Sequence, residues 1–425
     1  MTPLIRITLM FVVFVDLIGQ GLVFPIINSL IMSPKSGFLP EATGLGMRHF
    51  NFGLVVGIFF LSWFFGVVYV SKLSDSIGRK NALLICLTGA LAGYAITIAA
   101  IMVNSLWLLV LGRAITGFTA GNQPIAQAAM IDGSTDDADR DRNMGYIVTG
   151  VSFGLVGGPI IGGLLSDPDI IGSVASFTLP FYAAFVMVLI AMALVLFFFH
   201  DIRVERVPYV FRPREIFESF WRVSEYPVVL VLLPVYSLFM IANVTFYIFV
   251  DNYLTSAFGY GVVGGSVAML VIGAALATSS TFLVNPVQKR FGKRTIVGAS
   301  LGTMMVCAIA FALIPVAALT FIPIFLFYFL FGISYPTLLG LFSGSVGGAD
   351  QGWIMGVTTS IFCLAGGIMS LAGGGLMSIS IHAPFYISAG AAIIGLIVMG
   401  LTWGTPSIRK LTARPQQASA ATPSD

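Results

Sequence analysis

The 425 residues are 57% hydrophobic and only 9% charged, with a formal net charge of +3 and a mean hydropathy of +0.98. A water-soluble domain carries about 25% charged residues, so this composition excludes a soluble globule and describes a chain built for lipid. Cys86, Cys307 and Cys363 all fall inside apolar runs, which argues against a disulfide or cysteine–metal framework.

A membrane-spanning helix needs about 20 apolar residues. Twelve runs meet that length, at 5–30, 51–71, 81–103, 105–131, 144–165, 178–199, 227–251, 261–285, 295–317, 319–343, 354–378 and 384–404. An even number returns both termini to one face, and 18 of the 21 Lys and Arg residues fall on that face, which marks it as cytoplasmic. The pattern predicts an all-α, polytopic membrane protein. Residues 1–200 form a first six-helix bundle, 201–226 a cytoplasmic linker, 227–404 a second bundle and 405–425 a disordered tail. Within the linker, Phe217, Phe220 and Trp221 recur at helical spacing, as in a helix lying on the membrane surface; a plain tether fits the same segment. The halves echo each other: Met144-Gly145 recurs as Met355-Gly356, and Gly162-Gly163-Leu164 as Gly374-Gly375-Leu376. Parallel repeats of this kind enclose a site near the midplane.

In the first span, Asp16 lies about eleven residues in, near the midplane at a rise of about 1.5 Å per residue, with Gln20 one turn on. Two roles fit a carboxyl there. It takes up and releases a proton as hydration changes, or it is held permanently by a base such as Arg113 of the fourth span. After the second span comes Leu73-Ser74-Asp75-Ser76-Ile77-Gly78-Arg79-Lys80, where Gly78 permits a tight turn and the two bases hold the loop inside. A merely topogenic basic loop would not need Asp75. The fourth span continues from Arg113 through Gln123 to Asp132, and the charges from Asp136 to Asp141 that precede Arg142 read as a solvated run.

The fifth span places glycines at 145, 154, 158, 162 and 163, with Pro159 after the third. Such a stripe gives a helix a flat face for close approach, and the proline removes one backbone donor and invites a bend. In the second half no charged residue lies deep in a span, Asp251 being at the end of its run. Tyr236, Asn243 and Tyr247 in the seventh span, and Tyr328, Phe331 and Tyr335 in the tenth, would form an aromatic wall suited to an amphiphilic organic molecule; core packing fits each singly. His49, His200 and His382 lack metal-ligand spacing, and no phosphate loop or hydrolase triad is present. The expectation is a protein that is not an enzyme and has no cofactor and no nucleic-acid partner.

These motifs resemble the major facilitator superfamily, and within it the twelve-helix drug/proton antiporter branch of tetracycline and multidrug exporters. Asp16-x2-Gly19-x-Gly21-x3-Pro25 is similar to the opening of drug-exporter helices, and Arg113-x3-Gly117 to their fourth-helix motif. The 71–80 loop matches the family's latch loop at Leu73, Ser74, Asp75, Gly78, Arg79 and Lys80, with Ser71 in place of the first glycine and Ser76 in place of a base. Asp132 and Arg142 resemble the tetracycline-exporter pair that joins that loop, and the fifth-span stripe matches the antiporter motif at every fixed position. The resemblance implies two six-helix bundles working by alternating access, and export of small amphiphilic compounds in exchange for protons. Asp16 and Arg113 would couple the proton, Gln20, Gln123 and the six aromatic-wall residues would line the substrate cavity, and Asp75, Gly78, Arg79, Lys80, Asp132 and Arg142 would form a conformational latch. The implied partners are the substrate and the bilayer, for a monomer in a bacterial inner membrane with the proton as coupling ion. Uptake of a nutrient, sugar or siderophore on the same fold is the alternative.

Overall fold

The computed structural model describes residues 1–201, 214–347 and 350–412. Backbone donors and acceptors find no water inside a bilayer, so the apolar runs close their hydrogen bonds internally as helices. In chain order these are α1 (Pro3–Met32), α2 (Leu45–Ile77), α3 (Arg79–Met102), α4 (Leu106–Phe118), α5 (Asn122–Asp132), α6 (Asp137–Ser166), α7 (Pro168–Ile171), α8 (Leu179–Phe198), α9 (Glu215–Trp221), α10 (Pro227–Phe258), α11 (Val262–Thr278), α12 (Val284–Arg290), α13 (Lys293–Leu313), α14 (Phe321–Ser343), α15 (Gln351–Met377), α16 (Ala383–Thr402) and α17 (Pro406–Thr412). Among the described residues, eleven helical stretches are long and apolar enough to cross a membrane, one of them running from α11 through a π turn at Ser279–Leu283 into α12.

The run at 105–131 departs from the expected single helix. It is interrupted between Phe118 and Asn122, and Gly121 caps the second piece. Pro124 then sits in the first turn of α5, where its missing N–H leaves no intrahelical bond unmade. Counting this broken span, the chain is an all-α, polytopic protein with the twelve-span, two-bundle architecture of the major facilitator fold. The linker expectation falls partly on 202–213, outside the described residues; beyond it α9 exposes Phe217 and Trp221. Of the expected tail, Pro406–Thr412 are helical and 413–425 lie outside the described residues.

The helices group into two compact units. The first comprises Met1–Phe211 together with Asp251–Leu270 and Ser370–Ile379. Its center is the contact of α1 with α6, which the glycine stripe makes possible. A β-carbon at Gly154 would lie 2.6 Å from Leu17 Cβ, and one at Gly158 would lie 2.7 Å from the Ile18 carbonyl oxygen and 3.0 Å from Gly21 Cα. At the end of α1 remote from the N-terminus the same unit is closed by further small residues. Gly53 of α2 meets the Ser370 carbonyl and Gly374 of α15, Gly46 lies against Ser378, and Gly163 against Ser266 of α11.

The second unit comprises Arg212–Val250, Val271–Met369 and Ser380–Asp425. Its core is aromatic: Phe246 stacks on Phe327 at 4.4 Å and meets Phe311 and Phe385 at 5.1 and 5.5 Å. Arg222 pairs with Asp350 at 2.6 Å, its guanidinium over the Trp353 ring, and Trp353 Nε1 donates to the Ser219 carbonyl, so the described part of the linker is tied to the start of α15.

Candidate functional site

Asp16, Gln20, Tyr94, Arg113 and Asn122 converge on one cleft of the first unit, lined also by Gly19, Phe59, Ala90, Thr116, Thr119 and Ala120. The break between α4 and α5 brings Asn122 there: it starts a new helix, and its amide Nδ2 donates to Asp16 Oδ1 at 3.3 Å. The backbone amide of Gln123 faces the same carboxylate, while the Gln123 side chain is not part of the cleft lining. Arg113 is 5% exposed, and its guanidinium lies 4.1 Å from the center of the Phe59 ring. Its Nε has no hydrogen-bond partner, and no ion pair within 4.0 Å joins Arg113 to Asp16. Acid and base thus share a cleft without neutralising each other directly. Tyr94 fits because Gly19 has no side chain, a β-carbon there colliding with the Tyr94 hydroxyl.

The aromatic-wall residues belong to the second unit. Tyr247, Tyr328, Phe331 and Tyr335 form a chain of rings with centers 6.3, 6.2 and 5.4 Å apart, and Phe331 also stacks on Phe239. Tyr236 is fully buried, donating to the Thr358 carbonyl at 3.2 Å, and Asn243 is 6% exposed with its Oδ1 unpaired. Tyr236, Asn243, Tyr328 and Phe331 are buried, and Tyr247 and Tyr335 are half-buried.

The latch residues form two clusters. Arg79 reaches Asp75 at 2.9 Å, Asp132 at 3.1 Å and the Ser74 hydroxyl. Gly78 takes φ +93°, and a side chain there would strike the Asp201 carboxylate, which accepts from the Lys80 amide at 2.8 Å. Arg142 joins neither Asp132 nor this loop; it pairs with Asp139. Asp139 is 7% exposed and also bonds Arg6 at 2.6 Å, so at this position the expectation of a solvated charge run is corrected. Its partner lies more than a hundred residues earlier, and local charge density carries no trace of that. Burial alone would push the Asp139 carboxyl up, but hydrogen bonds from Arg142 and the Thr135 amide, with the charges of Arg6 and Arg142, hold it below the usual carboxylate range. Asn122, Tyr94, Arg6, Asp139 and Asp201 were not singled out from sequence as site residues. Of these Arg6, Asp139 and Asp201 carried a usable signal, as charges at the ends of apolar runs. Among the described residues no group of three or more His, Cys, Asp or Glu side chains is arranged to hold a metal ion.

Polar groups gathered in an internal cleft of a helical membrane protein mark a substrate or ion pathway. Residues 9–370 match the Major Facilitator Superfamily, and the chain belongs to that family. It is 27% identical to the class D tetracycline resistance protein of Salmonella ordonez over 84% of this chain and 85% of that one. It is 24% identical to the quinolone resistance protein NorA of Staphylococcus aureus over 92% and 94%. Among solved structures, a D-xylose–proton symporter superposes with a TM-score of 0.71 over 95% of this chain and 98% of that one, at 15% identity, a likeness of fold. The protein is therefore a secondary active transporter of small organic molecules and not an enzyme.

Proposed function

We propose that the protein exports small amphiphilic compounds across a bacterial inner membrane in exchange for protons, working as a monomer with both termini in the cytoplasm. The observation that carries this reading is the position of Asp16. It is half-buried in the cleft, bonded to a neutral amide and unpaired with Arg113, and it sits on α1, against which Gly154, Gly158 and Gly162 of the α6 stripe pack. A carboxyl with no fixed counter-ion is free to change protonation as the cleft gains and loses water. Arg113 would favour the ionised form when the cleft is wet, and binding of substrate would displace that water. The resistance proteins among the relatives support export, and the aromatic residues of the second half support a ligand that is partly apolar.

The test is transport by proteoliposomes loaded at one pH and diluted into another. Wild-type protein should move a hydrophobic cationic dye, or tetracycline, against its gradient only when protons can flow the other way. Asp16→Asn should exchange substrate down its gradient yet fail to concentrate it. Proton-driven accumulation unchanged by Asp16→Asn would overturn the coupling role, and movement of dye in the same direction as the proton would overturn export in favour of uptake.

A further inference from the structure

A second set of buried polar groups lies in the first unit, at the end of α1 remote from the N-terminus. Asp251 of α10 is 1% exposed, and its Oδ2 has no hydrogen-bond partner. Gly265 of α11 faces the other oxygen so closely that a β-carbon there would collide with it. The neighbour from α1 is Asn28, fully buried, a neutral amide that faces the Asp251 carboxyl as a hydrogen-bond donor and also donates from Nδ2 to the Thr255 hydroxyl at 2.7 Å. His49 of α2 is also 1% exposed, and neither ring nitrogen has a hydrogen bond; its polar neighbour is Asn252 of α10. The nearby charges are already engaged or in water. Arg48 gives its guanidinium to the carbonyls of Ile31, Pro40 and Thr43, and Lys35 and Glu41 are exposed. Among the described residues, neither Asp251 nor His49 has an ion-pair partner within 4.0 Å.

An ionised carboxylate or imidazolium with no counter-ion is strongly disfavoured in such a setting. We propose that Asp251 and His49 form a proton-binding gate on this face, which is external in the orientation proposed above: both are neutral while the helix ends are packed, and each returns to its ordinary titration when they part. The inference rests on the alternating-access reading, in which this packing must open for substrate to leave. Closing then makes Asp251 take up one proton from about pH 4, where free aspartate ionises, up to the pH at which the packed carboxyl ionises too, and makes His49 release one below about pH 6.5, where free histidine is charged, as long as the packed ring stays neutral. The proton numbers fix the pH dependence. Between about pH 4 and 6.5 uptake and release cancel, and closure is independent of pH. Above about 6.5 only the uptake by Asp251 remains, so closure is disfavoured about tenfold per pH unit until the packed carboxyl itself ionises, beyond which the dependence ends. These protons bind from and return to the same side, so they set the gate without entering the transport stoichiometry.

The experiment uses the full chain in nanodiscs of phosphatidylethanolamine and phosphatidylglycerol, with Cys86, Cys307 and Cys363 replaced by alanine and spin labels at Ala42→Cys and Ile379→Cys. Both labelled positions are exposed and flank the Gly46–Ser378 contact. Electron–electron distance distributions from pH 4.5 to 8.5 give the ratio of closed to open faces. In the parent protein the ratio should be flat up to about pH 6.5, fall above it, and level off once the packed Asp251 ionises. Asp251→Asn should remove the fall above pH 6.5 and create a fall on the acid side, while His49→Gln should extend the decline down through pH 5. Asp251→Ser serves if the asparagine variant fails to insert. A parent ratio independent of pH throughout, or Asp251→Asn and Asp251→Ser with the parent's profile, overturns the gate. Transport stoichiometry separates this from the coupling assignment: Asp251→Asn should keep the proton-to-substrate ratio, whereas failure at Asp16 would leave the distance profile untouched.

Discussion

Gly21 of α1 and Pro159 of α6 lie against each other so closely that a β-carbon on Gly21 would sit 2.8 Å from the proline Cδ. Gly158, one residue earlier, approaches Gly21 Cα in the same way. The stripe therefore serves chiefly as a seat for α1, the helix that carries Asp16 a little over one turn before Gly21. Gly163, beyond the proline, faces Ser266 instead, and Gly145 meets nothing within 4 Å.

Replacing Gly158 by leucine must separate α1 from α6, because the atoms in the way are backbone: the Ile18 carbonyl and Gly21 Cα. Overpacking of this kind costs about 1–3 kcal/mol. Gly158→Leu should insert, unfold at lower temperature in detergent, and leak protons without substrate because Asp16 has been displaced. Gly145→Leu, at the open end of the stripe, should behave as wild type. Scanning fluorimetry with a proton-flux assay checks both, and a tightly coupled Gly158→Leu would reduce the stripe to packing.

How much of this was legible in the sequence depends on whether the signal is local. The spans were legible because lipid imposes length and apolarity on each run separately, and Asp16 and Arg113 stood out because a charge within a span is rare. The glycines announced close approach, but the identity of their partner helix is a tertiary property. The break at Thr119–Gly121 was hidden because its residues are no more polar than their neighbours, and with it went Asn122, an uncharged group that only the second helix start aims at Asp16. His49 and Asp251 were visible only as span-end residues; their burial comes from helix ends that meet far apart in the chain.

Asp139 should make the N-terminal end of the first unit acid-sensitive. Its carboxyl is held below the usual range by Arg142, the Thr135 amide and Arg6. A depressed folded-state value means that the stabilisation is complete above the ordinary carboxylate value, about pH 4, and is lost as the pH falls through the lower folded one. Thermal unfolding followed from pH 7 to 3 should therefore show an acid-side drop. In Asp139→Asn this component of the drop should be missing and the pH 7 midpoint lower. Arg6→Gln should weaken the drop in the same direction, since it removes the 2.6 Å partner. An unaltered acid limb in Asp139→Asn would assign the sensitivity elsewhere.

Arg79 is the residue on which the latch loop converges. One guanidinium satisfies Asp75, Asp132 and the Ser74 hydroxyl, and it is 9% exposed, so little water is available to replace it. Removing it takes the guanidinium from two carboxylates, one of them on α5, the short helix that also presents Asn122 to Asp16. Hydrogen bonds to charged groups are worth about 1.5–3 kcal/mol each when buried, less at the partly exposed Asp75. Arg79→Gln should cost roughly 2 kcal/mol by that measure and slow transport more than it weakens substrate binding, because α5 loses its anchor while the cleft residues remain. Arg79→Lys keeps the charge but lacks the planar fork that spans three acceptors, so it should recover only part of the rate. Lys80 engages the loop through its backbone amide and gives its ammonium to the Leu196 carbonyl at an exposed position, so Lys80→Gln should be nearly silent. Initial transport rates and substrate affinity measured side by side decide the matter, and a Lys80→Gln defect as large as that of Arg79→Gln would show that net positive charge, and not the three-way bond, holds the loop.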